Sequence, residues 1–150
     1  MRVVKRAIFT SALAATLLSL PGAVAMADTL IGSERSERLQ GTPSPDQIYG
    51  ELGDDVLVGL GGNDYIEAGP GNDELDGGGG SDRIRTGAGA DRVSGGPGAD
   101  SLATGAGDDR IEAGDGRRDR VRCGPGNDSV VADRIDLLKG CENVSPPAPR

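Results

Sequence analysis

The stretch that decides the fold is "GPGNDELDGGGGSDRIR", residues 69–85. Six of its seventeen residues are glycine, four are acidic, and Leu75 and Ile84 are its only aliphatic side chains. Asp73 and Asp82 stand nine residues apart. Each is followed two positions later by one of those aliphatics, and each is preceded at two and four positions by glycine: Gly71 and Gly69, then Gly80 and Gly78. Low hydrophobicity with high charge ordinarily predicts disorder, unless a ligand supplies the missing stability. The phase of the three residue types argues for order.

That phase extends in both directions. Aspartates stand at 46, 55, 64, 73, 82, 91, 100 and 109, with Asp119 after ten residues and Asp128 after nine more. The glycine pair recurs at Gly87 and Gly89, Gly96 and Gly98, Gly105 and Gly107, and Gly124 and Gly126. The unit is therefore G-x-G-x-D-x-U-x, with U aliphatic and usually a small residue in front. Its glycine half must turn, because glycine alone adopts positive φ without strain. Its D-x-U-x half alternates polar and apolar residues, as a short strand buried on one side does. Nine residues make one turn and one strand, and eighteen make a coil whose rungs stack at about 4.8 Å. The spacing predicts an all-β fold, a right-handed parallel β-roll with two thin sheets. One sheet is lined by Leu57, Leu75, Val93, Ile111 and Val130, the other by Ile48, Ile66, Ile84, Leu102 and Val121. These two rows are expected to form the whole core.

Over about residues 32–131 the chain resembles the RTX, or hemolysin-type calcium-binding, nonapeptide repeat family, whose motif is G-G-x-G-x-D-x-U-x. The resemblance implies several calcium ions inside the turns, held by aspartate carboxylates and backbone carbonyls. The implied ligands are Asp55, Asp64, Asp73, Asp82, Asp91, Asp100, Asp109 and Asp128, with carbonyls near the glycine pairs from Gly69 and Gly71 to Gly124 and Gly126. The chemistry agrees with the residue types. Calcium takes six to eight oxygens in tolerant geometry, a glycine turn leaves carbonyls unobstructed, and aspartate is short enough to reach the same point. One loop cannot surround an ion, so each ion is expected to bridge loops eighteen residues apart. Asp46 and Asp119 are kept apart from this set. The first lies in a unit without inner glycines, and the second follows an extra residue that puts Arg117 in the turn. A metal-free solenoid with Asx-type turns would accept Asn at the Asp position, yet Asn63, Asn72 and Asn127 occupy only the slot before it.

The ends read differently. Arg2, Lys5 and Arg6, the apolar run 7–20, Pro21-Gly22 and the alanines at 23, 25 and 27 form a secretory signal peptide over residues 1–27. That run is too short for a membrane span. Residues 28–49, "GSERSERLQ" and "GTPSPDQIY" included, are read as an N-terminal cap with degenerate repeats. Residues 50–131 hold the calcium-binding repeats. Residues 132–144 are read as a C-terminal cap in which Ile135, Leu137 and Leu138 cover the core, and 145–150 as a disordered tail. Cys123 and Cys141, the only cysteines, are expected to form a disulfide across one coil of an exported chain.

Charge and composition narrow the function. Removing residues 1–27 takes three of the 16 basic residues and none of the 24 acidic ones, leaving 13 against 24, a net charge of −11. That balance argues against nucleic acid and fits cations. Histidine is absent, each phased aspartate has a metal role, and the repeats follow the signal directly, so no enzyme activity is expected. Outward-facing Arg83, Arg85, Arg120 and Arg122 are read as solvated edge protection rather than an anion-binding face. The expectation is a secreted, monomeric calcium-binding protein that folds as calcium binds. The alternative is an adhesion or matrix module in which calcium is only structural.

Overall fold

Six residues of each unit are needed for the glycine turn, which leaves three for a strand, and every strand is three residues long. The computed structural model describes residues 27–148. The expected signal peptide, apart from Ala27, lies outside the described residues, as do 149 and 150. The strands are β1 (Thr29–Ile31), β2 (Arg38–Gln40), β3 (Gln47–Tyr49), β4 (Val56–Val58), β5 (Tyr65–Glu67), β6 (Glu74–Asp76) and β7 (Arg83–Arg85). They continue as β8 (Arg92–Ser94), β9 (Ser101–Ala103), β10 (Arg110–Glu112), β11 (Arg120–Arg122), β12 (Ser129–Val131), β13 (Leu137–Lys139) and β14 (Asn143–Ser145).

Successive strands alternate between two seven-stranded sheets, one of odd-numbered and one of even-numbered strands, each stacked in sequence order. All pairings are parallel, and through β10 residues eighteen apart are in register, as in Ile48↔Ile66↔Ile84 and Leu57↔Leu75↔Val93. The extra residue near Arg117 changes the offset to nineteen for Leu102↔Val121 and Ile111↔Val130, so the turn absorbs it and the strands stay in phase. The β-roll and both aliphatic rows follow the sequence reading.

The core is wider than those rows. Ala68, Ala113, Cys123 and Ala132 are buried with them, each two positions beyond a core aliphatic. Strand alternation carries one residue further than expected, and the next inward position lies where the chain bends toward the other sheet. Gly59, Gly77 and Gly95 are buried at equivalent positions, so this row admits only small groups. Each fully buried Ile or Leu of the main rows contributes about 1.5–3 kcal/mol.

Both caps prolong the coil. At the N-terminus β1 and β2 pair with β3 and β4, and Leu30 and Leu39 pack on the core half-buried. At the C-terminus β13 pairs with β11 and β14 with β12, which carries regular structure to Ser145, into the stretch read as a tail. Of the three residues expected to cover the core only Leu138 does so. Ile135 and Leu137 are 51% and 46% exposed, because alternation turns Leu137 outward when Leu138 faces in. Cys123 and Cys141 are disulfide-bonded, with Cα atoms 5.2 Å apart. The arginines are not edge protection: β7 and β11 each have a strand on both sides.

Candidate metal centre

Each phased aspartate is the last residue of its turn and enters a strand, so its backbone is fixed by the sheet while its carboxylate reaches into the bend. The two carboxylate oxygens have different surroundings. One accepts the backbone N–H of the aspartate one coil earlier. Asp64 Nα–H donates to Asp82 Oδ1 and Asp82 N–H to Asp100 Oδ1, both at 2.8 Å. On the other edge Asp55 donates to Asp73 at 2.8 Å, Asp73 to Asp91 and Asp91 to Asp109 at 2.9 Å, and Asp109 to Asp128 at 3.0 Å. Two ladders of aspartates thus run along the two edges of the roll.

The second oxygen has no partner. Oδ2 of Asp55, Asp64, Asp73, Asp82, Asp91, Asp100, Asp109, Asp119 and Asp128 is buried and accepts no hydrogen bond. A buried, unsatisfied carboxylate oxygen is costly, and nine in register are not an accident of packing. The residues themselves are almost fully buried; Asp82 is 2% exposed. Burial is the main reason the carboxyls of eight aspartates are pushed upward, partly offset by the donated N–H and increased again by neighbouring carboxylates. Asp64, Asp73 and Asp119 rise to about 6 and Asp100 to about 7, with Asp55, Asp82, Asp109 and Asp128 shifted in the same direction.

Carbonyls converge on the same bends. A methyl group on Gly77 would sit 2.5 Å from Asp82 Oδ2 and 2.6 Å from the Gly95 carbonyl oxygen of the next coil. The two oxygens are therefore at most about 5 Å apart, a separation that one ion with calcium–oxygen distances of about 2.3–2.6 Å spans. On the other edge a methyl on Gly50 would lie 2.5 Å from Asp55 Oδ2 and 2.7 Å from the Ala68 carbonyl oxygen. At the fourth position of the turn, a side chain on Gly80 or Gly98 would overlap the carbonyl oxygen of Gly62 or Gly80 in the preceding coil. Those oxygens accept no backbone hydrogen bond among the described residues. Glycine here keeps the space around the oxygens open.

The donor set fits calcium. Among the described residues no three His, Cys, Asp or Glu side chains converge, so a metal would be held by one carboxylate per turn together with main-chain carbonyls. That all-oxygen set suits a hard cation of flexible coordination and not zinc or copper. Asp Oδ2 and the glycine carbonyls would hold the ion. When bound, it would neutralise the ladder and join consecutive coils.

The structure puts the eight aspartates read from the sequence in equivalent positions and gives the two kept apart different surroundings. Asp119 belongs with them, since its Oδ2 is equally buried and unpartnered. The turn before it is rebuilt with side chains, Asp115 accepting from Gly98 N–H at 2.8 Å and from Arg117 N–H at 2.6 Å. Asp46 is different. Its Oδ2 accepts Thr42 N–H at 2.5 Å and the Thr42 hydroxyl at 3.1 Å, so the protein itself satisfies it. Glu37 stands nine residues before Asp46, at the aspartate position of a unit read as a degenerate cap, and its Oε2 is also buried and unpartnered. Glu51 and Leu60, which replace the second glycine of their turns, still take φ of +79° and +78°, so both turns keep the shape of their glycine counterparts at a steric cost.

Four copies of the RTX calcium-binding nonapeptide repeat match the chain, over residues 31–66, 58–93, 85–119 and 94–130. The chain belongs to this family. Among solved structures it is similar to the solution structure of the AlgE6R3 subunit from the Azotobacter vinelandii mannuronan C5-epimerase, at 29% identity and a TM-score of 0.41. The similarity covers 69% of this chain and 53% of that one, so the chain spans about half the length of the structure it matches. No curated protein matches it. The RTX repeats are calcium-binding repeats, and in this chain they form a two-sheet β-roll.

Proposed function

We propose that this RTX chain is a secreted calcium-binding protein without catalytic activity, in which several ions enter the turns and folding accompanies their binding. The observation that carries the reading is the row of nine buried aspartate oxygens with no partner. Without metal they place repelling carboxylates along both edges of a roll whose apolar core is thin. With metal the same oxygens become bonds between coils, so binding and folding form one equilibrium. Extracellular calcium modules bind at about 10⁻⁴–10⁻³ M. An affinity in that range would leave the chain unfolded in a low-calcium cytosol and fold it outside. The Cys123–Cys141 disulfide supports an oxidising destination. Among the described residues no helix is long and apolar enough to cross a membrane.

Calorimetric titration with parallel circular dichroism tests the proposal. Calcium-stripped protein should show little strand signal and gain it cooperatively as several ions bind per chain. Equal strand content in excess EGTA and in millimolar calcium would overturn it.

A further inference from the structure

The outward faces of the two sheets are charged very differently. On the even-numbered sheet Arg38, Arg92 and Arg110 are balanced by Glu74, Asp76 and Glu112, and Glu74 lies in register with Arg92. On the odd-numbered sheet the outward positions carry Arg83, Arg85, Arg120, Arg122 and Lys139 against a single carboxylate, Glu67. This excess of four positive charges lies on a chain whose net charge is −8.

The positive residues surround a depression. Arg83 is in register with Ser101 and Ser101 with Arg120, while Arg85, Ala103, Arg122 and Lys139 form the parallel row. The small residues of β9 therefore lie between two arginine pairs about 10 Å apart across two rungs. The resulting cleft of about 700 Å³ is floored by Ser101 and Ala103. Arg122 directly faces Lys139, an arrangement that destabilises a sheet when nothing neutralises it. Among the described residues Arg83, Arg120, Arg122 and Lys139 make no ion pair. Arg85 lies in register with Glu67, which accepts the Tyr65 hydroxyl at 2.5 Å. Tyr65 in turn lies 5.8 Å, ring centre to ring centre, from Tyr49 on the same face. Arginine beside tyrosine is the composition of recognition surfaces.

We infer that the outward face of the odd-numbered sheet binds an acidic polysaccharide, whose carboxylate or sulfate groups are taken by the arginine pairs on either side of the Ser101–Ala103 floor. Guanidinium forks match planar oxyanions and hold them with two parallel hydrogen bonds. The cleft is open and crosses several rungs, which suits an extended chain. Nucleic acid suits it poorly, because its charges recur at about 1.7 Å along the duplex axis and would continue past the basic patch over acidic turns such as those at Asp54 and Asp108. A polyuronate, with one carboxylate per sugar, spaces its charges more widely.

The experiment measures binding of dextran sulfate and polyglucuronate to the full chain at fixed millimolar free calcium, with neutral dextran, a single-stranded DNA oligonucleotide and phosphatidylserine vesicles in parallel. Circular dichroism on each sample confirms that the roll is folded, which separates this test from that of calcium-dependent folding. Both acidic glycans should bind, and neutral dextran should not. The triple variant Arg83→Gln, Arg120→Gln, Arg122→Gln should bind about tenfold more weakly or worse, with a shallower salt dependence. The matched triple Arg38→Gln, Arg92→Gln, Arg110→Gln removes the same charge from the other face and should change affinity by less than about threefold. Ser101→Glu, which leaves every arginine in place, should weaken binding as well. The inference is overturned if folded native protein binds neither acidic glycan, if the two triples lose equally, or if DNA or vesicles bind more tightly than the glycans.

Discussion

At the scale of a residue, the phased aspartate performs two tasks with two oxygens. Oδ1 accepts a main-chain N–H from the coil before, and Oδ2, buried and unpartnered, is the oxygen we propose for a cation. Asparagine could manage only the first, since its amide nitrogen is a donor and would point at carbonyls. Asp82→Asn should therefore keep the hydrogen bond from Asp64 yet reduce the number of ions bound, raising the calcium needed for half-folding by about tenfold, because ligand charge sets calcium affinity. Asp46→Asn is the contrast: both oxygens of Asp46 already serve Asp28, Thr42 or both, so it should lower stability without removing an ion. Calorimetric stoichiometry distinguishes the two variants, and an unchanged ion count in Asp82→Asn would contradict the assignment of Oδ2. The aspartates were legible in the sequence because their phase is strict. What spacing could not reveal was the division of labour within each carboxylate. Nor could it admit Asp119, whose turn is repaired by Asp115, or show that the longer side chain of Glu37, which is in phase, also leaves an oxygen buried and unpartnered.

At the scale of an element, the strands were legible wherever alternation and phase agreed, from β3 to β12. The third row of small core residues was not, because alanine two positions beyond an aliphatic carries almost no hydropathy signal; only burial identifies Ala68 and Ala113. The final strands were obscured for another reason. Offsets of seventeen for Val121↔Leu138 and fourteen for Val130↔Val144 break the period while the sheets continue. The disulfide spans this irregular end, bonding Cys123, which is fully buried, to the loop between β13 and β14. Closing so short a loop contributes about 3 kcal/mol. Reduction should therefore shift the calcium midpoint for folding upward and free β13 and β14 first. Hydrogen exchange at the Leu137–Lys139 amides under reducing and oxidising conditions checks this; identical protection would show that packing alone holds the last rungs.

At the scale of the whole molecule, the raised carboxyls make metal-free stability depend on pH. A carboxyl whose folded value lies above its unfolded one binds its proton more tightly in the roll. Its contribution is therefore fully present below about pH 4 and is lost as the pH rises through the folded value. For Asp64, Asp73 and Asp119 that loss centres near 6, and for Asp100 near 7. Calcium-stripped protein should thus gain strand signal as the pH falls from 8 to 5. Calcium affinity should weaken across the same interval, since protons and metal compete for one oxygen. Circular dichroism without metal and calorimetry with it read the opposite trends; a metal-free signal that declines on acidification would show that repulsion within the ladders is not what opposes folding.

The hydrogen bond between successive aspartates always runs one way, donated by the earlier residue's amide to the carboxylate one coil later. A rung is consequently completed by its successor, never by itself, and the stack has a polarity that its near-repeating chemistry conceals. The leading end of the growing column always waits for the next layer. The distal end is closed by substitutes, Asp136 accepting from Asp119 and Glu142 from Asp128. Assembly should propagate inward from that sealed terminus, like a zip with its slider at the carboxyl side.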